Sequence, residues 1–110
     1  MANFAVTMVH GPNWDAAKGG IGGIREQAAF DEHAAFMDRL VEGGSIILGG
    51  PLGDGEQALL IFEADDEDEV RARMAEDPWK PMGLLYVGDV RRLTIWLDAG
   101  KVTAQRTGAS

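Results

Sequence analysis

The sequence holds two histidines and no cysteine, so acid/base chemistry near neutral pH rests on His10 and His33, and thiol catalysis and thiolate metal sites are excluded. His33 lies in an amphipathic stretch over residues 27–42. Phe30 precedes it by three positions, and Met37 and Leu40 follow by four and seven, the intervals that bring side chains onto one side of a helix. An imidazole turned inward there is either a hydrogen-bonded core residue or a proton-transfer group lining a pocket. A carboxylate accepting the proton of one ring nitrogen fixes the tautomer and raises the basicity of the other, the service that an aspartate such as Asp77, in the Asp77-Pro78 step that closes a second, acidic helical segment, would give an acid/base His33. The alternative for Asp77 is to cap its own turn, a frequent use of aspartate before proline. The two residues are far apart in the chain, and only the fold can join them.

Four further residues are candidates for substrate binding. Ser45 follows Gly43-Gly44 and starts a strand, so its hydroxyl faces the same pocket as His33 or makes a local strand-start hydrogen bond. His10 ends the first strand beside a glycine-rich loop, and binds substrate, serves as a second acid/base, or faces solvent. Arg25 holds an anionic group or pairs with Glu26 or the acidic residues of the second helix. Trp79, like Trp14, stacks on a planar substrate or makes a core or dimer contact. Other motifs fail on inspection. Gly20-Ile21-Gly22-Gly23 lacks the Gly-Lys-Ser/Thr ending of a phosphate loop, no closely spaced histidines form a readable metal site, and the Gly-x-Ser-x-Gly elbow of serine hydrolases is absent. Neither a cofactor nor a metal is expected.

The elements that must position these residues follow from the apolar period, which switches between two and about 3.6 to give strand, helix, strand, strand, helix, strand. Phe4, Val6, Met8 and His10 alternate along a first strand beginning near Asn3. Gly11 and Pro12 stop it, and a loop of about fifteen residues, long enough for a lid or binding loop, leads to the helix that carries His33. A short strand over residues 45–48 is followed by a bend and hairpin connection over residues 49–56, containing Gly49-Gly50-Pro51, and then by a strand over residues 57–63. Asp66 and Glu69 have capping-box spacing for the second helix, whose inward stripe is Val70, Met74 and Ala75. The acidic run from Asp65 to Glu69 is explained by the positive helix terminus without a metal. A final apolar segment over residues 83–97 is too long for an ordinary strand and predicts a bulge or an overhang reaching a second subunit. Residues 1–98 form one domain, and residues 99–110 a polar C-terminal tail.

Composition narrows the partners. A net charge of −8 and a pI near 4.5 oppose broad attraction to nucleic acid or anionic lipid. No segment approaches the length of a membrane span, and the N-terminus lacks the basic start and apolar run of a signal peptide. A cytoplasmic protein is expected, with neither nucleic acid nor membrane as its partner. The element order describes an α+β, ferredoxin-like βαββαβ sandwich with an antiparallel four-stranded sheet. One face of that sheet receives both helices. The other has no cover within the chain, which predicts a homodimer.

Arg25, the run from His33 to Phe36, Glu42-Gly43-Gly44, the run from Leu48 to Leu52, Asp54-Gly55 and Asp77-Pro78-Trp79 occur in an order and spacing that resembles the YCII-related (YciI-like) family, over residues 3–97. The resemblance implies a dimeric α/β barrel with a pocket between sheet and helices. It also implies a histidine–aspartate active-site pair, here His33 and Asp77, and chemistry that in some relatives acts on chlorinated quinone-type compounds. The glycine-rich segment over residues 15–24 departs from the family pattern. Two functions remain. One is a small cofactor-independent enzyme using the His33–Asp77 pair on a small, planar or aromatic molecule by hydrolysis, elimination such as dehalogenation, or isomerisation. The other is a non-catalytic small-molecule-binding or accessory dimer in which His33 only hydrogen-bonds the ligand.

Overall fold

Strict alternation builds the first strand, β1 (Ala2–His10): Phe4, Val6 and Met8 are buried, while Ala5, Thr7 and Val9 face the other way. The computed structural model describes residues 1–100, so the expected polar tail lies, from residue 101 onward, outside the described residues. A short helix, α1 (Gly20–Ile24), interrupts the long loop expected after β1. Then follow α2 (Phe30–Glu42), β2 (Ile46–Leu52), β3 (Gln57–Ala64), α3 (Glu67–Met74) and β4 (Leu85–Leu93). The strands form one sheet in the order β2-β3-β1-β4, every neighbouring pair antiparallel. This is the expected α+β, ferredoxin-like arrangement. Among the described residues no helix is long and apolar enough to cross a membrane.

The core lies between the sheet and its two long helices. Phe4, Val6, Leu60 and Phe62 on the strands meet Phe36 and Leu40 of α2 and Val70 and Met74 of α3. Ala75, expected in the inward stripe of α3, is exposed, because it is the C-cap rather than a residue of the helix. At the other end of α3 the Asp66 carboxylate accepts the Glu69 amide at 2.8 Å, as the spacing predicts. The reciprocal bond is displaced by one residue, with Glu69 accepting from the Asp65 amide at 2.7 Å.

Helix α2 starts three residues later than the amphipathic pattern suggests. Ala29, its N-cap, has φ 56° and ψ 31°, a left-handed conformation that a continuous helix cannot contain. The segment Gly49-Gly50-Pro51 is part of β2 and not a bend. β2 is an edge strand, where proline's missing N–H deprives no neighbour of a partner. The reversal comes later, around Gly53 and Gly55, which have positive φ, with the Gly55 amide bonded to the Leu52 carbonyl at 2.9 Å. At the other edge β4 carries the predicted irregularity, a register shift against β1 between Val6 and Met8, and ends at Leu93. On the sheet face away from the helices Leu48, Leu52 and Tyr86 are exposed, as are Trp96 and Leu97 beyond β4.

The turn after β1 is anchored to the segment before β4. Gly11 donates to the Leu84 carbonyl and Asn13 to the Gly83 carbonyl, both at 2.9 Å, and the Asn13 side chain reaches the Met82 carbonyl at 3.0 Å. A Cβ on Gly11 would overlap the Gly83 carbonyl, so the approach requires glycine. Gly11→Ala is expected to destabilise the fold by about 1–3 kcal/mol, read as a lowered midpoint in urea unfolding with an unchanged m-value.

Candidate functional site

Tryptophan and histidine rings from three segments define the site. The His33 ring, from the first turns of α2, lies flat against Trp79, with centroids 3.8 Å apart and planes 5° from parallel. Trp14 meets Trp79 edge-on at 5.5 Å and 88°. His10 in turn stacks on Trp14 at 3.8 Å and 8°. Trp79 is almost fully buried, and its indole N–H donates to the Ala28 carbonyl at 2.6 Å. The left-handed Ala29 immediately after that carbonyl sets the turn that presents it.

The fold brings His33 and Asp77 together. His33 Nδ1 lies 2.9 Å from one Asp77 carboxylate oxygen and 3.0 Å from the other. Asp77 is 2% exposed and also accepts the Trp79 backbone amide at 2.9 Å. Both readings of Asp77 therefore hold at once, since the carboxylate caps its own Asp-Pro-Trp turn and binds the imidazole. An ionised carboxylate can only accept, so Nδ1 carries the proton in this bond and Nε2 is the nitrogen left for other partners. A buried carboxylate is costly unless hydrogen-bonded, and these contacts supply that requirement.

A cavity of about 240 Å³ opens beside the His33 ring. Met8, Leu60, Met37 and Ile46 make its walls predominantly apolar, and Trp14 and Trp79 supply flat aromatic surface. Gly49 helps to hollow it out: its side-chain position faces inward beside Leu60, where a Cβ would stand 2.6 Å from a Leu60 methyl and 2.9 Å from the Leu59 carbonyl. A second cavity of about 250 Å³ shares His10, Trp14 and Gly55 with the first and is bordered by Asp54 and Glu56. Among the described residues no three His, Asp or Glu side chains converge as they would at a metal centre. The chemistry available is proton transfer at His33 Nε2 to or from a molecule held against flat apolar walls.

The other candidates are placed differently. His10 and Trp79 line the cavity with His33. Ser45 is buried and does not line it; its backbone bonds Leu40 and Glu63. Arg25 is exposed, next to α1, and does not line it either. Sequence reasoning missed Gln27, which is buried and ties down the loop before α2. Its carbonyl accepts the Asp15 amide at 3.0 Å, and its amide group donates to the Asp15 carbonyl at 3.1 Å and the Gly23 carbonyl at 3.4 Å. A glutamine among glycines and alanines carries no periodic signal. The Asp77–Trp79 turn, in contrast, was detectable from the Asp-Pro-Trp order.

The YCII-related domain model matches residues 5–94. Among solved structures the chain is similar to 5-chloro-2-hydroxyhydroquinone dehydrochlorinase (TftG) from Burkholderia phenoliruptrix AC1100 in complex with 2,5-dihydroxybenzoquinone, at 26% identity and a TM-score of 0.62, covering 84% of this chain and 93% of that one. No curated protein matches the chain.

Asp77→Asn replaces one accepting oxygen by a donor in a buried site. It is expected to cost about 1–3 kcal/mol of stability, measured by denaturant unfolding, because Nδ1 keeps at most one acceptor. Gln27→Ala is expected to speed amide hydrogen exchange at Asp15 while leaving exchange in the sheet unchanged.

Proposed function

The chain belongs to the YCII-related family, and from that premise we propose that it is a cofactor-independent, small-molecule enzyme that eliminates a leaving group from a planar, oxygenated ring. The observation that carries this reading is the His33 imidazole, held through Nδ1 by the buried Asp77 carboxylate while the ring borders an apolar, aromatic-walled cavity. The similarity to a dehydrochlorinase bound to a dihydroxybenzoquinone supports a ring of that kind as substrate. His33 is the acid/base, Asp77 orients it, and Trp79 positions His33 by stacking.

Loss of HCl from a chlorinated hydroquinone needs no outside oxidant. Two O–H protons leave oxygen, one proton is placed on the ring carbon that carries chlorine, and chloride departs with the electron pair of the C–Cl bond. The ring becomes a quinone with the electrons balanced. The protein's part is proton handling, which suits one imidazole fixed in a single tautomer: Nε2 accepts from a ring hydroxyl and delivers to carbon. Apolar walls strengthen that exchange by excluding water.

We place the active unit in a homodimer formed through the outward sheet face. Leu48, Leu52 and Tyr86 on that face and Trp96 and Leu97 just beyond it are apolar surface that the two long helices, packed on the other side, do not cover. A second copy presents the same surface and closes the assembly by twofold symmetry.

With 5-chloro-2-hydroxyhydroquinone as substrate, the wild-type protein is expected to release chloride, followed with an ion-selective electrode. His33→Asn should lower kcat by about 10²–10⁴-fold while 2,5-dihydroxybenzoquinone still binds. Turnover untouched by His33→Asn would overturn the acid/base role, and binding without chloride release by the wild type would favour the non-catalytic module. In sedimentation equilibrium the wild type is expected at twice its 11.8 kDa chain mass, and the Leu48→Lys, Leu52→Lys double variant at the chain mass.

A further inference from the structure

His10 stands apart from the dyad. Among the residues lining the main cavity, most have no hydrogen-bonding side chain. Trp79 has committed its indole N–H to Ala28, and His33 has committed Nδ1 to Asp77. Gln57 is exposed, at the rim. Among the described residues the His10 ring has no hydrogen bond or ion pair, although it is only partly exposed. Its one ring contact is the face-to-face stack on Trp14 at 3.8 Å and 8°. Stacking occupies a face and leaves the ring edge, with both nitrogens, available.

The orientation of that edge is set from both ends. Trp14 is carried by the turn that Gly11 and Asn13 clamp to Gly83 and Leu84. Trp14 and Trp79 stand at 88°, and each histidine lies nearly parallel to its own tryptophan, so the two imidazole planes are close to perpendicular. An imidazole hydrogen-bonds in its own plane. Two rings at different points of one cavity wall, in crossed planes, address two separate polar atoms of a ligand rather than the same one.

We infer that His10 is a substrate-binding residue that hydrogen-bonds the second ring oxygen, so that the site selects rings carrying two oxygens over rings carrying one. This rests on the reading that the cavity takes an oxygenated planar ring, and it adds which such rings are taken. It also meets the proton balance above: two hydroxyl protons must leave oxygen, and His33 Nε2 attends to only one of them. His10 lines both the main cavity and the second one, which is bordered by Asp54 and Glu56.

The test compares two probes by quenching of tryptophan fluorescence, hydroquinone, which carries two ring oxygens, and phenol, which carries one, on the wild type, His10→Phe and His10→Gln. His10→Phe keeps a flat ring to stack on Trp14 and removes both nitrogens, whereas His10→Gln keeps hydrogen bonding and removes the ring. The expected result is a five- to tenfold weaker Kd of His10→Phe for the two-oxygen ring, an unchanged Kd for phenol, and recovery of at least half of the lost affinity ratio in His10→Gln. Equal weakening for both probes marks a merely structural role and overturns the inference, as does a two-oxygen Kd that His10→Phe leaves unaltered. Failure of the wild type to bind either probe overturns the oxygenated-ring reading and this inference together. Wild-type binding with no effect of His10→Phe overturns this inference alone.

Discussion

The hydrogen bond between His33 and Asp77 is the constraint on which the rest of the site depends. It joins the first turns of α2 to the turn that follows α3, two parts of the chain that the sheet topology brings together on one face. Each partner is costly to bury alone. Together they fix the tautomer of the imidazole and hold one wall of the cavity. The Asp77 carboxylate also receives the Trp79 amide, so the same group that orients His33 sets the backbone that stacks Trp79 on it. The orientation of the imidazole and the flat wall beside it thus have a single origin.

The space beside His33 depends on what the sequence leaves out. Gly49 occupies an inward position on an edge strand, where neighbouring strands carry Leu60 and Val6, and the absent side chain leaves a hollow between sheet and helix. Opposite it, the loop bearing Trp14 is held by backbone bonds to Gly83 and Leu84 and by the Gln27 side chain. The long connection between β1 and α2 is therefore a fastened wall, although its composition resembles that of a free loop.

Much of this architecture could be read from residue order. Alternation in Phe4, Val6 and Met8 and the helical spacing of His33 and Leu40 gave the element sequence, and that order admits the ferredoxin-like sheet almost directly. The Asp-Pro-Trp turn marked Asp77 as fixed, but its meeting with His33 is a property of topology that no local pattern contains. Two features differ from the sequence pattern for physical reasons. Gly49-Gly50-Pro51 has turn composition, yet an edge strand tolerates both the missing donor and the missing side chains. Ala29 adopts a left-handed conformation that alanine disfavours, so the start of α2 had no sequence signal. Phe36, three positions after His33 and four before Leu40, is buried on the same stripe of α2. Within the site, the stacking of His10 on Trp14 and the role of Gln27 arise from contacts between loops, where periodicity carries no information.

The acid/base role proposed for His33 requires that it keep its proton on Nδ1, against Asp77, and turn an unprotonated Nε2 toward the cavity. Nitrogen-15 NMR of histidine-labelled protein, at a pH where the imidazole is neutral, reads this directly from the two ring-nitrogen shifts and their couplings to the ring protons. The tautomer with Nδ1 protonated is expected for His33, and is expected to be lost in Asp77→Ala. A His33 signal showing the proton on Nε2, or one that Asp77→Ala leaves unchanged, would contradict it.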